Sequence, residues 1–188
     1  LLDHLDEKKL ADDTIVLYLT DNGWIQRADN GRYAPRSKRS QYDGGLRTPI
    51  MVRWPGKVKP EDRPELANSI DLAPTILKAC GLAPTKAMQG IDLLDDTALA
   101  KRKSTYGAIY LHNAVDIHKP SANLTYRWLI NGDWKLILPH KENVTNKAKH
   151  KGTGEIELYN LAKDPHERSN LAKARQGRTK RLAKQLNK

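Results

Sequence analysis

Phenylalanine is absent from the 188 residues, and cysteine occurs once, as Cys80. A single cysteine excludes an internal disulfide and any Cys-rich zinc site, and it leaves the redox compartment open. No apolar run approaches the roughly 18 residues that a membrane-spanning helix requires. Neither an initiator methionine nor a signal peptide is visible. The chain opens on "LLDHLDEKKL", a helical pattern already under way, as expected of a processed chain or a fragment. The length suffices for one domain, or a domain and a half, around a real core.

Charge is plentiful but uneven. The net charge is +11, yet residues 1–26 carry two lysines against six acids. Residues 27–63 carry ten basic residues against four acidic ones, and 141–188 carry thirteen against five. Between them, 64–140 are near balance. Positive charge in the 27–63 block suits an anionic ligand. The closing stretch, "KARQGRTKRLAKQLNK", reads as the solvated face of a terminal helix, with no interleaved aromatic residues to stack on nucleic-acid bases.

Periodicity places the elements. Thr14 to Thr20 is a continuous apolar run of strand length, the pattern of a parallel strand buried on both faces. Residues 22–48 are rich in charge, Gly and Pro and read as a long functional loop. "TPIMVRWPG" is a second short strand. "NSIDLAPTILKACGL" reads as a helix with Asn68, Ser69 or Asp71 as N-cap, Pro74 in the first turn and Gly81 as C-cap. Ile70, Pro74, Leu77 and Cys80 would share its buried stripe, making Cys80 a small core residue. Residues 83–103 are polar and irregular. "TYGAIYLH", "YRWLING", "DWKLILP" and "EIELYNL" are strand-like, with Asn131-Gly132-Asp133 as a hairpin turn. A boundary falls near residue 100.

Two stretches could carry chemistry. "TIVLYLTDNGW" delivers Asp21, Asn22 and Gly23 to the end of a strand, where open α/β sheets place their sites. A carboxylate beside an amide carbonyl offers hard oxygen ligands suited to Ca²⁺ or Mg²⁺ rather than Zn²⁺. Asp-Asn-Gly is also an ordinary turn, and two ligands are not a site. In "RSKRSQYDGGLRTP", four cations (Arg36, Lys38, Arg39, Arg47) flank a turn where a backbone could approach a ligand closely, or they form a solvated basic loop. His4, His112, His118, His140, His150 and His166 show no ligand spacing. Asn123-Leu124-Thr125 and Asn143-Val144-Thr145 are glycosylation triplets, relevant only in a secreted eukaryotic chain.

"YLTDNGW", then "SKRSQYDGGLRTPIMVRWPG", "SIDLAPTILKACGL" and finally "ELYNLAKDPHERSNLA" together resemble the type I sulfatases of the alkaline-phosphatase superfamily, in the family's order along nearly the whole chain. The resemblance implies an α/β fold class: the tail of an alkaline-phosphatase-like mixed sheet domain, then a small C-terminal antiparallel sheet with a closing helix. Residues 1–99 would be the C-terminal part of the catalytic α/β domain, and 100–188 a small C-terminal α+β subdomain. Asp21 and Asn22 match the family's metal ligands, to Ca²⁺ rather than Mg²⁺. Lys38 matches the lysine that holds the sulfate and assists the leaving oxygen, so it is both the substrate-binding and the catalytic candidate. Gly44, Gly45 and Arg47 match the turn that follows, and Asp43 stands where many relatives have Glu. Asp164 and Glu167 fit turn and capping roles.

The departures bound that reading. The family's nucleophile is a formylglycine made from Cys or Ser in a Cys/Ser-x-Pro-x-Arg motif, and no such motif occurs here. Asp12-Asp13 precedes a strand instead of ending one, so the family's N-terminal metal pair is absent too. The expectation is the C-terminal half of an enzyme that hydrolyses an aryl or carbohydrate sulfate, inactive by itself. Its partners would be a sulfated small molecule or glycan and the missing N-terminal half, without nucleic acid or a membrane span. The family implies a periplasmic, secreted or lysosomal setting. The alternatives are a phosphodiester or phosphonate monoester hydrolase of the same superfamily, and a non-catalytic basic fragment that binds polyanions.

Overall fold

The computed structural model describes residues 1–144 and 152–188, which divide into two units. Leu1–Asp21 with Thr48–Lys103 form the first, and Asn22–Arg47 with Ser104–Lys188 form the second.

In the first unit, helix α1 (Leu2–Glu7) buries none of its residues. Strand β1 (Val16–Leu19) pairs antiparallel with β2 (Ile50–Arg53), Val16 opposite Arg53 and Leu19 opposite Ile50. This corrects the expectation of a parallel strand buried on both faces. Tyr18 and Leu19 are exposed, and β2 is the one partner of β1 among the described residues. An apolar run signals burial, but strand direction depends on the partner, which the run itself does not carry.

Asn68 is the cap of the expected helix. Its side chain accepts from the Ile70 N–H while the Asp71 carboxylate accepts from the Asn68 N–H at 2.7 Å, a reciprocal capping box. A 3₁₀ turn over Ser69–Asp71 leads into α3 (Leu72–Ala79), and Gly81 closes it at φ +74°. Pro74 is buried, but Ile70 and Cys80 are exposed, so Cys80 is not a core residue. The buried side is instead organised by polar groups: Asp71 accepts from Ile91 N–H at 2.9 Å, and Thr75 Oγ1 from Leu93 N–H at 2.8 Å. Asp71 also pairs with Arg102, which follows α4 (Asp96–Lys101). That helix lies inside the stretch read as irregular. It is too short for periodicity to show, but Asp95 caps it through Thr97 N–H and Ala98 N–H, both at 3.0 Å.

The second unit is a four-stranded antiparallel meander, β3 (Ser104–Tyr110), β4 (Leu124–Asn131), β5 (Trp134–Pro139) and β6 (Glu157–Asn160), in sequence order. Asn131 stands opposite Trp134, so Gly132-Asp133 makes a two-residue turn with Gly132 at φ +54°. Period-2 alternation divides the side chains between two faces. Leu129, Leu136 and Leu158 meet Leu182 of the closing helix α5 (Gln176–Leu186) on one face. Lys180, Arg181 and Lys184 of that helix stay exposed, as its basic sequence suggests. On the other face, Tyr126, Ile137 and Tyr159 pack against Tyr42. Residues 22–47, with the short helix α2 (Asp43–Leu46), therefore group with the C-terminal sheet.

Neither glycosylation triplet gains support. Asn123 is buried, accepting from Val115 N–H at 2.6 Å and donating to Asp116 O at 2.6 Å. Thr145 of the second triplet, like His150, lies outside the described residues.

Candidate functional site

Asn22 and Lys38 lie in the second unit, and Gly23 shows why the backbone there is spelled as it is. Its N–H donates to Gly45 O at 2.9 Å, and a Cβ at this position would stand 2.5 Å from Gly44 O. No side chain fits there. Gly23 and the Tyr-Asp-Gly-Gly turn are thereby locked together, with glycine needed for close approach. Asp21 is exposed, and Asn22 is half-buried with its amide donating to Gly23 O at 3.0 Å.

Lys38 rides on a loop pinned from within. Ser37 and Ser40 are buried; Ser37 Oγ accepts from Ile25 N–H at 2.6 Å, and Ser40 Oγ donates to Ser37 O at 2.6 Å. The Lys38 ammonium stands 5.5 Å from the centre of the Trp24 ring. No carboxylate pairs with Lys38 among the described residues. A cleft of about 810 Å³ is lined by Trp24, Arg36, Arg47, His166 and Arg168 and also by the carboxylates of Asp43 and Glu167.

Beneath this loop the sheet presents buried charge, in which Glu167 has the expected capping role and Lys135 and Glu157 carry no local motif. The Glu157 carboxylate accepts from Tyr42 OH at 2.9 Å, from Thr153 Oγ1 at 2.8 Å and from Tyr159 OH. Burial, and then the negative charge of Glu157, push both phenols well above the ordinary tyrosine range, so both remain donors. Lys135 Nζ stands 2.8 Å from Asp43 Oδ1 and 2.8 Å from Glu167 Oε1. Glu167 Oε2 also accepts from Asp43 N–H at 2.6 Å, capping α2 from 124 residues away. Burial pushes the Glu167 carboxyl upward, opposed by the Lys135 charge. Asp164 has the expected turn role, accepting from Ser169 N–H at 2.8 Å. One signal could have found Lys135: in "DWKLILP" a charge alternates with Ile137 on an inward face.

The donor chemistry of Asp21 and Asn22 fits a hard cation in kind but not in number. Ca²⁺ takes about six to eight oxygen ligands. Among the described residues, no group of three or more His, Cys, Asp or Glu side chains is placed to hold a metal. These two residues could supply part of a coordination shell.

The family model described as N-sulphoglucosamine sulphohydrolase, C-terminal, matches residues 31–188. The chain is 27% identical over 194 residues to an N-acetylgalactosamine-6-O-sulfatase of Bacteroides thetaiotaomicron, covering 92% of this chain and 35% of that protein. Human arylsulfatase A is 27% identical over 189 residues, covering 91% of this chain and 36% of its own. A protein solved in complex with its substrate D-glucosamine-2-N,6-O-disulfate superposes over 99% of this chain and 36% of its own, with TM-score 0.66 at 23% identity. That likeness carries the fold. The chain thus spans about a third of the length of these two relatives.

Proposed function

The chain belongs to the sulfatase family as a C-terminal portion, and from that premise we propose that the protein it forms part of hydrolyses a sulfate ester, with Lys38 holding the sulfate. The observation that carries this reading is the contrast between two lysines of one unit. Lys135 is buried against two carboxylates, whereas Lys38 has no carboxylate partner among the described residues and sits on a pinned loop beside Trp24, whose cleft carries three arginines and a histidine together with Asp43 and Glu167, the carboxylates that Lys135 engages. An ammonium held in place without a counter-charge is suited to an incoming anion.

In this reading the Lys38 ammonium donates to an oxygen of the bound sulfate and stays protonated. As the S–O bond to the alcohol lengthens, its charge offsets the charge growing on the leaving oxygen, an interaction stronger in the transition state than in the ground state. Asp21 and Asn22 would lend a carboxylate and an amide oxygen to Ca²⁺, which would supply positive charge to offset that of the sulfate. The formylglycine nucleophile lies outside these 188 residues, which contain no Cys/Ser-x-Pro-x-Arg motif, so by themselves they would be inactive. An aryl or carbohydrate sulfate is the proposed substrate class, supported by the names of the relatives. A periplasmic, secreted or lysosomal setting belongs to the same proposal. No helix among the described residues is long and apolar enough to cross a membrane.

The test is Lys38→Ala in the protein expressed from its whole gene. Turnover of a sulfate ester should fall about a hundredfold or more, as for other charge-stabilising groups. Near-normal turnover removes Lys38 from the mechanism. Preference for a phosphodiester over a sulfate ester of the same alcohol would move the reading to the phosphoryl branch of the superfamily.

A further inference from the structure

Lys38 lies between Arg36 and Arg39, whose φ angles are +57° and +67°. Neither is glycine, so the local sequence does not favour the backbone that presents Lys38. Such a conformation persists where the surroundings over-determine it. The surroundings here are the charged face of the sheet. Arg36 donates to Glu167 O and stands 4.5 Å over the Tyr42 ring. Asp43 is held twice, by its N–H on Glu167 Oε2 and by its carboxylate on Lys135.

Lys135 is 0% exposed and Glu167 1%. Burying an ammonium with two carboxylates is a poor route to stability, because desolvation offsets much of the attraction and apolar side chains of similar volume often serve as well. What such a cluster supplies is a single geometry, since displacing any member strands another charge away from water. The member on the loop is Asp43, in the turn that follows Lys38.

We propose that Lys135 and Glu167 are positioning residues for Lys38: they fix Asp43, and through it the loop that sets where the Lys38 ammonium meets the sulfate. This rests on the reading of Lys38 given above. Neither residue touches substrate, and both act through the loop.

A double-mutant cycle tests it in the protein expressed from its whole gene, with a sulfate ester as substrate. One arm combines Lys135→Met, Asp43→Asn and Glu167→Gln, which removes all three charges and leaves none buried alone; the other arm is Lys38→Ala. The neutral cluster should lower kcat by about tenfold to a hundredfold, the scale of a small misplacement, with KM moved much less. Lys38→Ala added to it should cost far less than Lys38→Ala alone, because a displaced ammonium has little left to lose. A purely structural role would lower Tm and leave the two losses multiplying in the folded fraction. Should the neutral cluster not fold, Glu167→Gln alone keeps an acceptor for the Asp43 N–H and should show the same non-additivity with a smaller loss. Losses that multiply, or a kcat unchanged by these variants, overturn the proposal. Near-normal turnover in Lys38→Ala alone overturns the reading of Lys38 itself, and the positioning role with it.

Discussion

On one face of the four-stranded sheet, Leu129, Leu136 and Leu158 meet Leu182 of α5; on the other, Lys135 and Glu157 alternate with Ile137 and Tyr159 beneath the Lys38 loop. The same strands build both faces, one residue out of phase. The leucine face needs only volume and apolar surface, and many arrangements of similar side chains would satisfy it. The charged face needs partners: each buried carboxylate or ammonium must meet a counter-charge or a donor, which narrows the positions the loop can take. The difference teaches that the leucine face is held by apolar volume alone, whereas the other adds to its own apolar cluster a set of charges whose pairing restricts the loop.

Substitutions can break that contrast, beginning with the largest effect. Lys135→Ala leaves buried Glu167 beside the half-buried Asp43 carboxylate without their shared ammonium and should cost about 3–5 kcal/mol in denaturant unfolding. A smaller loss would mean that the two carboxylates are reached by water. On the leucine face, Leu136→Ala, at 0% exposure, should cost about 3 kcal/mol through lost transfer energy and a cavity. Turnover of the protein that remains folded should be unchanged, and a kcat loss there would erase the division between the faces.

Titration sharpens the comparison. The Glu167 carboxyl lies above its ordinary value of 4.5, chiefly through burial. A raised acid contributes stability that is full below its unfolded pKa and is lost as pH rises through the folded one. Gln at 167 cannot ionise, so the Tm of E167Q minus that of the parent should rise as pH goes from about 4 to about 8. A constant difference would show that Lys135 fully compensates the burial. The smallest effect belongs to the leucine face's edge. Arg178 lies 4.1 Å over the Trp134 ring, and Arg178→Ala should cost about 0.5–1 kcal/mol, read as a small shift of the unfolding midpoint.

Local signals were legible where local physics decides. The strands β3 to β6, the hairpin at Gly132, a helix start within Asn68–Asp71 and the Gly81 terminus follow from alternation, turn chemistry and capping; which of Asn68, Ser69 and Asp71 caps did not. The opposite holds for β1, whose apolar run gave no direction, and for Cys80, placed in a stripe that the helix does not bury. For the site, Lys38 stood out because it lies in a recognisable local pattern with Asp43-Gly44-Gly45. Glu167 was legible only as a capping group, and Lys135 and Glu157 were not legible at all.

The sequence by itself determined where the chain turns, which stretches alternate, and which short patterns carry candidate ligands for metal and sulfate. Each of those depends on residues within a few positions of one another. Only the tertiary structure decided that Lys135 would meet Asp43 across 92 residues and that Glu167 would cap α2 across 124. Such pairings depend on strand register and on which face of the sheet receives the loop. A buried charge is tolerable only beside its partner, and no local pattern states where that partner will be.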